Sequence, residues 1–462
     1  MAVLMRRAVS GWGRTNPSSC DVVDVDRADI GAVVAQASSR GALARGLGRS
    51  YGDSAQNGGG LLVRLGGTAA DIFLDPGTGV VRVGGGVSLD ELLRVVVPRG
   101  WFIPVSPGTR SVTIGGAVAS DIHGKNHHVD GSFGNHLVSL TLLLADGSTM
   151  VVGPQQHDEI FWATVGGMGL TGIILEASVR LLPIETSRCA VETTRHDDLD
   201  SLLTGMSEGD EHYRYSVSWI DLIAKGRHLG RSVLSRGDHA KLSDLDARSA
   251  GDPLRYGPRQ RISVPPIVPT PGVLNHASVA LFNEGWFRHY PARRAGSVEG
   301  IGSFFHPLDG VGGWNRLYGR LGFVQYQFVV PFGEEAALRD VIERLSSSGA
   351  ASFLAVLKRF GAGNPAPLSF PTPGWTLALD IPARSKGLAP LLHDLDRIVL
   401  DSGGRHYLAK DSHTTPAAIR QGYPRLAEWQ AIRDRLDPGG LWCSDQARRL
   451  ELVDHATVRS SS

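Results

Sequence analysis

Apolar positions recur along this chain with two different periods, and these predict its elements. Val80 to Val83 alternates as a strand. Ser88-x-x-Glu91 then makes a capping box that opens a helix through Val97, with Leu89, Leu92, Leu93 and Val96 on one face. Pro98 and Gly100 stop it. Leu137 to Leu144 and Thr149 to Val152 predict a hairpin around Ala145–Ser148, and Asp158 starts a short helix broken at Gly166-Gly167. Gly169 to Leu182 reads as a glycine turn followed by a strand. Beyond Glu185, strand-like runs (Tyr213–Ile220, Phe323–Val330, Ser352–Leu357, Trp375–Ile381) alternate with helical ones at Glu334–Ser347 and Leu388–Leu400. That pattern predicts one antiparallel sheet carrying helices. In the run from Phe323, Gln325 and Gln327 share a face, while Val324, Tyr326 and Phe328 share the other. A last helix, Pro424 to Leu436, ends at Asp437-Pro-Gly-Gly. The fold class is therefore α+β, without βαβ regularity.

Four stretches break the periodicity. Pro107 to His136 carries many glycines, four histidines and few bulky apolar residues, so it cannot be a core element throughout. Its small residues let backbone N–H groups approach something flat or charged, and it reads as a loop wrapping a flavin. Residues 42–65 place a glycine turn, Gly46 to Gly52, between two short apolar runs. No helix follows that turn, so it is not a Rossmann fingerprint; a phosphate-cradling loop between strands remains. Gly257 to His276 mixes prolines with isoleucines and valines after Arg259 and Arg261, and reads either as a linker or as a mobile flap. Gly11 to Asn16 is equally open between a packed terminal turn and a cofactor contact.

Composition narrows the function classes. With 462 residues, 42% hydrophobic and 20% charged, the chain has the make-up of a globular enzyme of two or three lobes. Forty-seven Lys+Arg against 46 Asp+Glu leaves a net charge of +1, which supplies no field for nucleic acid. Cys20, Cys189 and Cys443 are far apart and fit neither a zinc spacing nor a disulfide framework. No signal-peptide pattern and no apolar run of spanning length occurs, so the expectation is a soluble or peripherally attached protein.

Candidate chemistry follows from the breaks. His123, His127 and His128, with Asp121 and Asp130, match no familiar metal spacing, so no metal is expected. Tyr51 in its glycine turn is a packed aromatic or a proton donor. Gln325 and Gln327 suit hydroxyl recognition if their face points inward, and a solvent face is the alternative. Lys358 and Lys410 follow apolar runs and would not stand out alone.

A resemblance supplies the rest. GLGRSYGD (46–53), PGTRSVTIGG (107–116), DIHGKNHH (121–128), GSFGNH (131–136), FWATVGGMGLTGII (161–174), GFVQYQFVVP (322–331), PLSFPTPGW (367–375) and YLAKDSHTT (407–415) resemble a family of vanillyl-alcohol-oxidase-type flavoproteins. These are the FAD-dependent oxidases of decaprenylphosphoryl-ribose 2′-epimerisation, and the likeness runs from Gly11 to Leu452. It implies an FAD domain of the PCMH type built from both chain ends (1–186 and 405–462) around a substrate domain at 187–404 with an antiparallel sheet and helices. It implies non-covalent FAD held by Ala44, Arg45, Gly46, Leu47, Gly48, Arg49, Ser50, Tyr51, Gly52, Asp53, Ser54, Gly108, Thr113, Ile114, Gly115, Gly116, Ser120, Asp121, Ile122, His123, Ile174 and Tyr407. Catalytic roles fall on Lys410, Tyr51 and His123, and substrate contacts on Lys125, Gln325, Gln327, Lys358 and Ala378. Lys410 is expected to orient the 2′-oxygen, and which of the three takes the proton stays open.

The implied reaction is oxidation of the ribose 2′-hydroxyl to a ketone, completed to the arabinose epimer by a partner reductase using a nicotinamide cofactor. The implied setting is peripheral, on the cell-wall side of the plasma membrane, with the cytoplasmic face left open. Two departures stand out: Arg49 replaces the histidine through which broader relatives bind FAD covalently, and Ala378 stands where some close relatives have a cysteine. An oxygen-using sugar or aldonolactone oxidase and a non-catalytic flavin electron-transfer subunit are the alternatives.

Overall fold

The computed structural model describes residues 4–257, 262–265, 268, 274–349, 352 and 354–453. Three sheets organise them. The strands Met5–Val9, Ser18–Val25, Leu61–Leu65 and Ala42–Ala44 form the first sheet in that order, with parallel pairs on both sides of Leu61–Leu65. The second is antiparallel, in the order Ile72–Asp75, Val80–Gly84, Ile173–Arg180, Leu137–Leu143, Thr149–Val152. The third has eight antiparallel strands: Arg293–Gly300, Arg188–His196, Ser232–His239, Tyr215–Ile220, Ala355–Phe360, Gly374–Pro382, Phe323–Pro331 and Arg405–His406. The architecture is α+β.

Local chemistry accounts for the helix after Val80–Gly84. Ser88 Oγ accepts from Glu91 N at 3.1 Å, while Ser88 N donates back to Glu91 Oε2 at 2.9 Å. This reciprocal cap holds Leu89–Val96, which buries Leu89, Leu92, Leu93 and Val96. Losing such a cap costs about 1 kcal/mol.

The large sheet sorts its two faces by period-two alternation. Val324, Tyr326, Phe328 and Val330 pack outward under the helices Glu335–Ser348 and Leu388–Asp401, through Leu338, Val341, Ile342, Leu392, Leu395 and Val399. Gln325 and Gln327 therefore point to the opposite, inner face, and both are buried there. A solvent face for the two glutamines is excluded.

Some boundaries differ from the sequence reading. The run from Ser352 becomes strand only at Ala355–Phe360, and the last long helix starts at Leu426, two residues beyond Pro424. The Gly257–His276 stretch falls largely outside the described residues. Its described part holds a two-residue strand, Ile262–Ser263, paired parallel with Val311–Gly312, and Val264 beside it is buried. A helix, His276–His289, begins where the stretch ends, with Asn275 as its cap. No one-sided apolar stripe announces this helix: it buries Val279, Asn283 and Phe287 while Leu281 and Phe282 stay exposed.

Candidate active site

A cavity of about 1130 Å³ lies between the two smaller sheets and the inner face of the large one. One wall is glycine turn. Arg45 N donates to Val63 O and Tyr51 N to Ala409 O. Between them the backbone amides of residues 46–50 donate to no described protein group, in a turn where Gly48 has φ 65°. Consecutive amides freed in this way form a concave anion site. The facing loop comes equally close: a Cβ on Gly46 would sit 2.4 Å from Thr113 Oγ1, and one on Gly115 3.1 Å from Gly85 O. Thr113 caps the six-residue helix Ile114–Ala119 by accepting from Gly116 N at 3.2 Å. Arg49 lies 4.0 Å over the Trp12 ring and donates to Ser111 O at 3.2 Å. Trp12, in the Gly11–Asn16 turn, thereby lines the cavity too.

The other wall is side chains. Register pairs Gln325 with Asp380 and Gln327 with Ala378, and Ala378 in turn with Val356; Lys358 faces Thr376. His123 Nε2 meets Gln327 Nε2 at 2.9 Å, among Phe360, Phe370 and Tyr407 at ring distances of 4.9, 5.5 and 5.0 Å. An amide nitrogen only donates, so Nε2 accepts and the proton sits on Nδ1, which has no described partner. Burial, then the charge of Lys358, holds His123 well below the ordinary histidine range. It is a neutral imidazole. Tyr407 packs on Phe370 and donates its hydroxyl to Ser120 O at 2.8 Å.

Lys410 lies 3.8 Å over the Tyr51 ring, which meets Phe323 edge-on. Burial pushes Lys410 down to about 7, with Asp380 resisting and Lys358 adding to the fall. Burial and the Asp380 charge push the Tyr51 phenol well up, so it keeps its proton. Lys358 is lowered to about 8 by burial and by Lys125, and no described anion pairs with it. Lys125, also lowered to about 8 by burial, donates to Phe304 O at 2.5 Å and lies over the Phe304 ring.

Of the residues expected from the sequence, Gly52, Asp53, Ile114 and Asp121 do not line the cavity; the others do. Asp53 is taken by Arg449, at 2.7 and 2.9 Å. Gly52 stands where a Cβ would collide with Asp411 O, and Ile114 belongs to the core. Asp121 is a buried brace that accepts from Ser132, Gly134, Asn364 and Ser369. Asp380 was not anticipated. The signal was present: it lies two residues beyond Ala378 on the same strand face.

Comparison with known proteins gives this cavity a chemical identity. A family model described as an FAD binding domain matches residues 22–153, and one described as D-arabinono-1,4-lactone oxidase matches 382–450. The decaprenylphosphoryl-beta-D-ribose oxidase of Mycolicibacterium smegmatis is 45% identical over 453 residues, covering 97% of this chain and 98% of the relative. The chain belongs to the decaprenylphosphoryl-β-D-ribose oxidase family. It is an FAD-dependent oxidoreductase of the vanillyl-alcohol-oxidase type. An alditol oxidase from a Streptomyces species is 26% identical over 96% of this chain and 99% of its own. The L-gulono-1,4-lactone dehydrogenase of Mycobacterium tuberculosis is 23% identical over 94% and 96%. The oxidase-family cavity fits FAD on its own features: free amides at 46–50 for a pyrophosphate, and a volume above the roughly 300–1,000 Å³ of ordinary ligand sites.

Proposed function

We propose that the chain oxidises the 2′-hydroxyl of decaprenylphosphoryl-β-D-ribose to the 2′-ketone, the first half of epimerisation to the arabinose isomer. The observation that carries this reading is the cluster where the glycine wall meets the large sheet: Lys410 against Tyr51, with Gln325, Gln327 and His123 beside them. FAD, when bound, supplies the redox chemistry by accepting the hydride.

The chain's own residues hold the sugar. Lys410, as an ammonium, donates to the 2′-oxygen and opposes negative charge that builds beside it. The Tyr51 phenol and the neutral His123 ring offer hydrogen-bonding positions along which the hydroxyl proton can leave. Gln325 and Gln327 bind the remaining hydroxyls. Lys358 and Lys125 give cations to the phosphate of the lipid-linked sugar. A separate nicotinamide-dependent reductase returns hydride to the ketone, and the enzyme works peripherally at the membrane that holds its substrate. No helix among the described residues is long and apolar enough to cross a membrane.

The test is anaerobic mixing of the yellow holoenzyme with a polyprenylphosphoryl ribose. Bleaching of the flavin is expected with this substrate and not with free ribose or alditols. Lys410→Ala should keep its FAD and lose at least about 100-fold in the bleaching rate. Bleaching by free sugars with stoichiometric peroxide in air would favour a soluble-sugar oxidase instead.

A further inference from the structure

The Asp380 carboxylate is fully buried on the inner face of the large sheet. Gln325 Nε2 donates to its Oδ1 at 2.5 Å and the Tyr318 hydroxyl to its Oδ2 at 3.3 Å. Both donors are neutral, and no described Lys, Arg or His makes an ion pair with it. A buried carboxylate held only by neutral donors is costly, and such groups persist where the charge has work to do. Its bonded partner Gln325 and its same-face neighbour Ala378 line the cavity together with Lys410, the cation whose charge acts on the carboxylate.

Other charges around Lys410 are spoken for or of the wrong sign. Asp411, its chain neighbour, is bound by Arg449 at 2.7 Å, and His413 is turned to Asp396 at 3.5 Å. Lys358 on the adjoining strand repels it, and His123 is neutral. Tyr51 and Tyr318 face the pair from the glycine turn and from the 314–318 turn of helix, both as protonated phenols.

We propose that Asp380 is a positioning residue for the oxidation: it is the counter-charge that keeps Lys410 an ammonium, and its hydrogen bond fixes which way the Gln325 amide faces. With the Gln325 NH₂ committed to the carboxylate, its Oε1 is left as a buried acceptor with no described partner. The inference rests on the role proposed for the Lys410 ammonium. Its energetic setting fits, since burial pushes Asp380 up to about 7 and Lys410 down to about 7. Without the Asp380 charge, burial and Lys358 act on Lys410 unopposed.

The test reads Lys410 in the full-length holoenzyme without substrate, so its outcome is independent of which sugar is oxidised. Lysine labelled with ¹³C at Cε reports the ammonium titration by NMR, and Lys410→Arg assigns the signal. In Asp380→Asn the Lys410 midpoint should fall by about one pH unit or more. The alkaline limb of kcat should move down with it, with a smaller effect on KM, and Asp380→Glu should recover part of the shift. An unmoved Lys410 midpoint in an FAD-loaded Asp380→Asn protein overturns the proposal. Should that variant not fold, ¹³C-labelled aspartate in the wild type decides: Asp380 and Lys410 must titrate as one coupled pair, and independent midpoints overturn the proposal.

Discussion

Ala378 offers only a methyl group to the cavity, between Gln327 on one strand and Val356 on the other. Cys20, Cys189 and Cys443 are all buried, and none lines the cavity. Burial also pushes the thiols of Cys20 and Cys189 up, away from the reactive thiolate. Nitroaromatic compounds that act by trapping a cavity thiol should therefore bind only reversibly. Intact-mass measurement after turnover is expected to show no adduct on the native chain and one adduct on Ala378→Cys. An adduct on the native chain would mean that a thiol reaches the cavity by a route absent from this packing.

Among the elements, the loop 107–136 is held from behind by Asp121. Its carboxylate gathers Ser132 Oγ at 2.7 Å, Gly134 N at 2.8 Å, Asn364 Nδ2 at 2.8 Å and Ser369 Oγ at 2.6 Å. Asp121→Ala would strand four donors in the interior, at a cost of roughly 3 kcal/mol or more. A lower urea midpoint and weaker retention of FAD are expected; an unchanged midpoint would remove Asp121 as the brace. The family resemblance put Asp121 beside the cofactor, within the stretch Ser120 to His123. What it could not reveal is that Asn364 and Ser369 come to meet it from far along the chain. The same limit explains Asp380. Alternation already separated Gln325 and Gln327 from Val324 and Tyr326, and it was legible because every second residue is apolar. In Trp375 to Ile381 alternation sets Asp380 on the face of Thr376 and Ala378, opposite Trp375, Leu377, Leu379 and Ile381, but only the register against Gln325 gives it a partner. The capping box at Ser88 was fully local and was readable to the residue.

For the whole molecule, the C-terminal segment is fastened to the helix Leu388–Asp401 through ionisable groups. His406 and His413 reach Asp396 at 3.1 and 3.5 Å. Burial pushes Asp396 up, yet the hydrogen bonds from the two histidines outweigh it and hold the carboxyl well below its usual range. Burial pushes His413 down, yet the bond to Asp396 and the charge of Asp411 hold it above its usual value. A depressed carboxyl stabilises the fold above its ordinary pKa of about 4, and that contribution is lost as pH falls. A raised histidine stabilises it below about 6.5, and that contribution is lost as pH rises through its folded value. Between these limits both act together. The melting temperature should peak near pH 5 to 6, and Asp396→Asn should flatten both limbs; a wild-type profile without such a peak would show that this lock carries little of the stability.

The turn at residues 46–50 has a consequence for biosynthesis. Tyr51 N is held by Ala409 O, and Gly58 N by the carboxylate of Asp445, 387 residues further on. At ribosomal speeds of roughly 5–20 residues per second, that separation is about 20–80 s of translation. For that interval the emerging chain carries a glycine turn whose free amides have nothing behind them. FAD capture is thus a late event that awaits the return of the distal chain, and a stalled or prematurely released polypeptide would remain colourless however well its early sheets had formed.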